Sequence, residues 1–169
     1  MEEKRIYRRN LPHIQPKDGV FFITFRLDGS LPIEVIKKLQ EEKDFMIAQI
    51  KKKASKSDLK SDLLRAHNIY FGKFDALLDN ASTGPTYLAD KKIAAIVKDA
   101  IHFLTEKDYR LICYTIMSNH VHMIVDKTKR VLYRILQSLK RFTGKEANKL
   151  LNRQGVFWQK ESYDNLIRM

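Results

Sequence analysis

Residues 109–125 read YRLICYTIMSNHVHMIV, two apolar runs rich in β-branched and aromatic residues on either side of Ser118-Asn119. Runs of that composition, 109–117 and 120–125, are strand-like, and the polar pair between them suits a tight turn. The stretch therefore predicts two consecutive strands. Side chains two apart on a strand share a face, so His120 and His122 stand side by side while Val121 turns the other way. Two neighbouring imidazoles can chelate one divalent metal, and the turn before them gives solvent and substrate access. The ordinary alternative for His-x-His is a pair of histidines at the edge of a core. Two imidazoles do not saturate a hard ion such as Mg²⁺, so a metal here would need a third protein ligand and substrate oxygens. Such an open site suits Lewis-acid polarisation of a phosphoryl group more than a closed structural role.

Working outward, a basic amphipathic helix is expected over about residues 129–151, then a short strand at 156–159 and a helix starting at 161 and running to 169. Upstream, Asp90 is placed to cap a helix whose apolar face includes Ile93, Ile96, Val97, Ile101 and Leu104. VFFITFRL (20–27) reads as a buried strand closed by Asp28-Gly29. Beyond Pro32, Ile36, Leu39, Met46, Ile47 and Ile50 follow helical spacing into a Lys-rich stretch, 51–60, expected as a solvated helix end or loop. Residues 70–90 mix short helical patterns with turn signals, and 5–19, with Pro12, Pro16 and Gly19, read as an extended arm. The order of elements predicts an α+β fold: a ferredoxin-like sandwich with a central, mainly antiparallel sheet and helices on its faces. One domain over residues 1–169 is expected, with a helical insert at about 31–90.

Charge narrows the partners. The 32 Lys and Arg against 20 Asp and Glu leave a net charge of +12, which favours a polyanion, nucleic acid first and an acidic membrane surface second. From residue 126 to 169 there are eleven basic and four acidic residues, so the last quarter carries a surplus of seven (11 − 4), and a phosphate-tracking surface is expected there. The single cysteine, Cys113, excludes an intrachain disulfide and a Cys-based zinc site, and its apolar surroundings predict a buried, inert thiol. The N-terminal residues lack a signal-peptide core, and no apolar run is long enough to span a bilayer, so a soluble cytoplasmic protein is expected.

A second cluster, FWQKESYD, occupies residues 157–164. Trp158 is expected as a core anchor in preference to a base-stacking platform. Tyr163 reads either as an exposed phenol beside the basic segment or as a half-buried surface aromatic.

Met117-Ser118-Asn119-His120-Val121-His122 resembles the His-hydrophobe-His signature of the HUH single-strand endonucleases. Within that group the chain resembles the REP-associated tyrosine transposases, relatives of the single-tyrosine insertion-sequence transposases. Arg8-Arg9-Asn10-Leu11-Pro12-His13, Phe22-Ile23-Thr24-Phe25-Arg26-Leu27, Phe74-Asp75-Ala76-Leu77-Leu78-Asp79, Gly84-Pro85 with Leu88-Ala89-Asp90, and Phe157-Trp158-Gln159 with Tyr163-Asp164 follow in the same order. Only about 36–66 looks generic. The resemblance implies a ferredoxin-like fold, His120 and His122 holding Mg²⁺ or Mn²⁺ on a central strand, and Tyr163 as nucleophile on a following helix. It implies single-stranded or hairpin DNA as partner and a 5′-phosphotyrosine intermediate, with Arg8, Arg9, Arg26, Lys140, Arg141 and Arg168 as candidate DNA contacts. Insertion-sequence relatives supply a third metal ligand one helical turn after the tyrosine; here that position is Ile167, leaving Gln159, Glu161 or Asn165 as substitutes. Chains of the family continue past the tyrosine helix, so a shortened C-terminus is expected at Met169, and a homodimer is left open. Two other readings stand beside the transposase: a hairpin-binding protein without turnover, and an unrelated phosphoesterase using the His pair alone.

Overall fold

The computed structural model describes residues 5–8, 12–15, 18–53, 55 and 57–167, and only the backbone of the first two segments. Two compact units are formed, residues 1–28 with 85–169, and residues 29–84. Among the described residues, no helix is long and apolar enough to cross a membrane.

In the first unit, β1 (Arg5–Arg8) and β2 (Pro12–Gln15) pair antiparallel. An extended arm was the expectation for 5–19; extended backbone leaves N–H and C=O groups to be satisfied, and here the two stretches satisfy each other. The main sheet comprises β3 (Val20–Arg26), β4 (Arg110–Ile116), β5 (His120–Asp126) and β6 (Tyr163–Ile167), in the order β4-β5-β3-β6 with every neighbour antiparallel. The helices α3 (Lys91–Leu104) and α4 (Leu132–Leu150) complete a β-α-β-β-α-β succession, an α+β sandwich with the ferredoxin-like strand order. Asp90 caps α3 as its sequence position suggests, accepting from the backbone N–H of Lys92 at 2.7 Å and of Ile93 at 3.4 Å.

Alternation along the strands divides the sheet into two faces. Phe21, Ile23 and Phe25 of β3 and Val121, Met123 and Val125 of β5 join Ile93, Val97 and Ile101 of α3 and Ile135, Leu136 and Leu139 of α4 in one buried cluster. Both helices thus cover the same face of the sheet. Phe157 and Trp158 are buried in this cluster, and the indole Nε1 donates to Thr143 Oγ1 at 2.8 Å. Trp158 is the core anchor expected of it.

Three sequence expectations are overturned in this unit. The tail expected as a helix from 161 is instead strand β6, because β3 needs a partner on its second side and the extended Tyr163–Ile167 backbone supplies it. In place of a strand at 156–159, a single bridge joins Trp158 to Leu27, flanked by hydrogen bonds from Asp28 N to Phe157 O at 2.9 Å and Gln159 N to Arg26 O at 2.9 Å. Cys113 is exposed, not buried: it lies opposite Ile124 and alternates with Tyr114, so it takes the face away from the core, and the register shift beyond it returns Leu111 to the core side.

The second unit holds α1 (Ile33–Lys53) and α2 (Leu59–Asp79), which pack against each other as a helical hairpin. α2 is longer than the sequence pattern suggested and absorbs much of the stretch read as mixed turns. Lys43 is buried between the helices, with its ammonium 4.7 Å from the Tyr70 ring centroid. At the end of the unit, Gly84 adopts φ +94°, and a Cβ there would lie 2.7 Å from the carbonyl oxygen of Gly29. Only glycine permits that approach.

Two stability predictions follow from the first unit. Thr143→Val keeps the volume but removes the acceptor of the buried Trp158 N–H, so unfolding free energy in urea should fall by about 1–3 kcal/mol; an unchanged midpoint would show the indole finding another partner. Across β4 and β5, Arg110 Nε donates to Asp126 Oδ1 at 2.8 Å, and hydrogen bonding to this guanidinium holds the Asp126 carboxyl below its ordinary range. A carboxyl depressed in the folded state contributes stability above its unfolded pKa of about 3.9 and loses it as pH falls through the folded value. Arg110→Met should therefore flatten the acid limb of the stability profile while leaving its shape above about pH 5 unaltered.

Candidate functional site

The face of the sheet opposite the core carries the candidate site residues. The turn leading into β5 is tied down by backbone hydrogen bonds from Met117 N to His120 O at 2.9 Å, Leu27 N to Asn119 O at 2.8 Å and Leu88 N to Ser118 O at 3.1 Å. His120 then lies opposite Arg26 of β3, and His122 opposite Thr24. On the other side of β3, Thr24 lies opposite Tyr163, and on the other side of β5, Thr115 lies opposite His122. Directly opposed residues share a face, so Thr115, His122, Thr24 and Tyr163 form one row across the sheet, with His120 and Arg26 in the next. His120 and His122 share this face, as their spacing predicts.

His120 Nε2 and His122 Nε2 are 2.9 Å apart, with the rings at 76°. The other nitrogen of each ring is held: His120 Nδ1 lies 2.6 Å from Asn119 Oδ1, and His122 Nδ1 lies 2.7 Å from Thr24 Oγ1. The Asn119 amide oxygen can only accept, so His120 Nδ1 carries the proton of that hydrogen bond, which leaves Nε2 as the nitrogen available for a metal. Two nitrogens each about 2.1 Å from an octahedral ion and about 90° apart lie about 3 Å from one another. The donor set and spacing therefore fit adjacent ligands of one divalent ion, with Asn119 setting the tautomer of His120 and Thr24 holding the His122 ring in place. Phe22 stacks on His122 with centroids 5.3 Å apart and limits the freedom of that ring further.

Thr24 and Asn119 are the residues that sequence reasoning missed as part of the site. Asn119 had been read as a turn residue and Thr24 as one position in a buried strand. Period-two alternation through VFFITFRL puts Thr24 on the same side as Arg26, a polar pair in an apolar strand, and that signal was there to use.

Tyr163 is half-buried and begins β6, so it is not on a helix. Its Cα is two strand spacings from that of His122, about 10 Å, with Thr24 between them. Ile167 remains unable to ligate, and on a strand it lies farther along β6, opposite Val20. Of the substitutes considered, Asn165 shares the face of Tyr163, opposite Phe22, whereas Gln159 and Glu161 precede the strand.

The candidate DNA contacts are scattered. Arg26 is 7% exposed, beside His120. Arg141 is exposed on α4. It lines a groove of about 450 Å³ with Lys140, Lys145, Lys160 and Trp158. Lys140 is half-buried in that wall and its ammonium is hydrogen-bonded to the chain around 159–162. Arg8 lies in β1, described by its backbone, and Arg9 and Arg168 lie outside the described residues.

Replacing Thr24 by Val keeps its shape and removes the hydroxyl that steadies His122. Affinity for Mn²⁺, titrated calorimetrically, should drop about 10–100-fold with the fold intact. Equal affinity in the variant would mean that the hydroxyl does not orient a ligand.

No family model matches the chain, and no curated protein matches it. Among solved structures it is similar to a REP-associated tyrosine transposase bound to a REP hairpin, with a TM-score of 0.49 and 13% identity. The alignment covers 100% of this chain and 64% of that one. Similarity at this level does not assign the chain to a family.

Proposed function

We propose that the chain is a metal-dependent single-strand DNA endonuclease and strand transferase of transposase type, acting on hairpin or palindromic repeat DNA, with Tyr163 as nucleophile. The observation that carries this reading is the row His122–Thr24–Tyr163, with His120 alongside, on the face of the sheet away from the core. In this reading the scissile phosphodiester lies between the imidazole pair and the phenol two strands away. Bound Mg²⁺ or Mn²⁺, held by His120 and His122, would supply Lewis-acid polarisation of the scissile phosphate. Tyr163 Oη forms a bond to phosphorus as the bond from phosphorus to the 3′ oxygen breaks. The phenolic proton ends on that oxygen, giving a 5′-phosphotyrosine and a free 3′-hydroxyl. Keeping the ester as a covalent link conserves its bond energy, so a second 3′-hydroxyl can reverse the step and join strands. Arg141, Lys145 and Lys160 along the α4 groove are placed to hold phosphates, and they carry no sequence information by themselves.

An unassisted phenol, with a pKa of about 10, is a poor nucleophile at neutral pH, so activity should require both the imidazole pair and the tyrosine. The test is incubation with labelled hairpin and single-stranded oligonucleotides in Mn²⁺, followed by denaturing electrophoresis. A protein–DNA adduct is expected from the intact chain and none from Tyr163→Phe, which should still bind DNA. His120→Ala should also give none. An adduct that survives Tyr163→Phe places the nucleophile elsewhere. Tight hairpin binding with no adduct from the intact chain replaces the enzyme with a non-catalytic DNA-binding protein.

A further inference from the structure

Lys140 was singled out as a phosphate contact, but its ammonium is engaged within the chain. Nζ lies 2.7 Å from Gln159 O, 3.1 Å from Lys160 O, 3.4 Å from Glu161 O and 2.7 Å from Ser162 Oγ. Three successive carbonyls and a hydroxyl converge on one cation. Carbonyl oxygens only accept, so Lys140 must donate to them, and an ammonium has three protons for these four acceptors. This excludes the Ser–Lys contact as a nucleophile–base pair, which would need the amine to present a lone pair to Ser162. It also leaves no proton of the ammonium to be given to a phosphate without releasing the turn.

We propose that Lys140 is a positioning residue: its ammonium clamps residues 159–162 to α4 and thereby sets where β6 begins and which face Tyr163 takes. The helix end of the clamp is rigid, because Leu136, Leu139 and Thr143 around it are buried in the core. At the other end, Tyr163 immediately follows the clamped segment and is the first residue of β6, opposite Thr24. A slip of one residue at this point would turn Tyr163 to the core face and Asp164 to the face of the imidazoles. Charge-assisted hydrogen bonds are the strong kind, and here several act on four consecutive residues. The catalytic consequence rests on Tyr163 being the nucleophile as proposed above; the structural role does not.

Lys140→Met and Lys140→Arg in the full chain test this, with Arg141→Gln as the comparison. Three quantities are read: amide hydrogen exchange along β6, the salt dependence of hairpin DNA affinity, and the rate of adduct formation at saturating DNA. Lys140→Met should speed exchange of the 163–167 amides about tenfold or more, as expected for lost hydrogen bonds to a charged group, with α3 and α4 unchanged. Its log–log salt slope should match that of the intact chain, whereas Arg141→Gln should lower the slope by roughly 0.7–0.9. Adduct formation by Lys140→Met should slow about tenfold with hairpin affinity kept, and Lys140→Arg should recover part of that rate by restoring donors. A phosphate-binding Lys140 would give the reverse, a shallower salt slope with β6 exchange unaltered, and would overturn the proposal. Unaltered exchange and adduct rate would overturn it equally. Should Lys140→Met prove too unstable to purify, Ser162→Ala reads the same quantities; faster β6 exchange supports the clamp, and none refutes it. If the intact chain forms no adduct, the nuclease reading fails, while exchange and salt slope still decide the role of Lys140.

Discussion

Everything in the first unit depends on β3 being paired on both sides. Val20–Arg26 pairs with β5 along one edge and with β6 along the other, so residues 21–24 have a fixed partner on both sides. Its alternation then assigns every side chain a face. Phe21, Ile23 and Phe25 are at most 1% exposed in the core, which makes a shift by one residue prohibitively costly. Locking the apolar residues on one face locks Phe22, Thr24 and Arg26 on the other. Hydrophobic burial thus sets the address of the polar groups without touching them.

That division explains how the imidazole pair is held with so few polar contacts. His120 and His122 each have one ring nitrogen fixed by a nearby side-chain oxygen, Asn119 Oδ1 and Thr24 Oγ1, and both side chains are buried. Thr24 is 2% exposed and Asn119 is 3% exposed, so neither competes with bulk water for its hydrogen bond. The exposed cations Arg141, Lys145 and Lys160 lie on α4 and the segment after it, where they remain hydrated at little cost.

Much of this was legible in the sequence, for identifiable reasons. The two strands around Ser118-Asn119, the strand at 20–27, the Asp90-capped helix and the basic helix all have a strong period or a specific cap, and each formed close to its expected place. The His pair was legible because two-residue periodicity needs only a strand to act on. The C-terminal tail was not. ESYDNLI (161–167) has no firm period, and its conformation is decided by the open edge of β3, information that resides in another part of the chain. The exposure of Cys113 escaped for a different reason: an apolar run hides its own alternation, and Cys113 takes the face of Thr115 while Tyr114 and Ile116 take the core. The clamp at Lys140 was hidden because a lysine on a basic helix looks alike whether it faces water or three carbonyls.

The close approach of Gly84 to Gly29 bears on how this chain could have grown. A unit whose first and last residues nearly touch can be added to, or removed from, a surface connection without displacing the ends to which it is joined. Closing a longer loop costs only slowly more entropy, so helices of quite different length could be carried at such a junction. Residues 29–84 close on themselves, with the glycine at the closing end as the fixed requirement and the lengths of α1 and α2 left free by it.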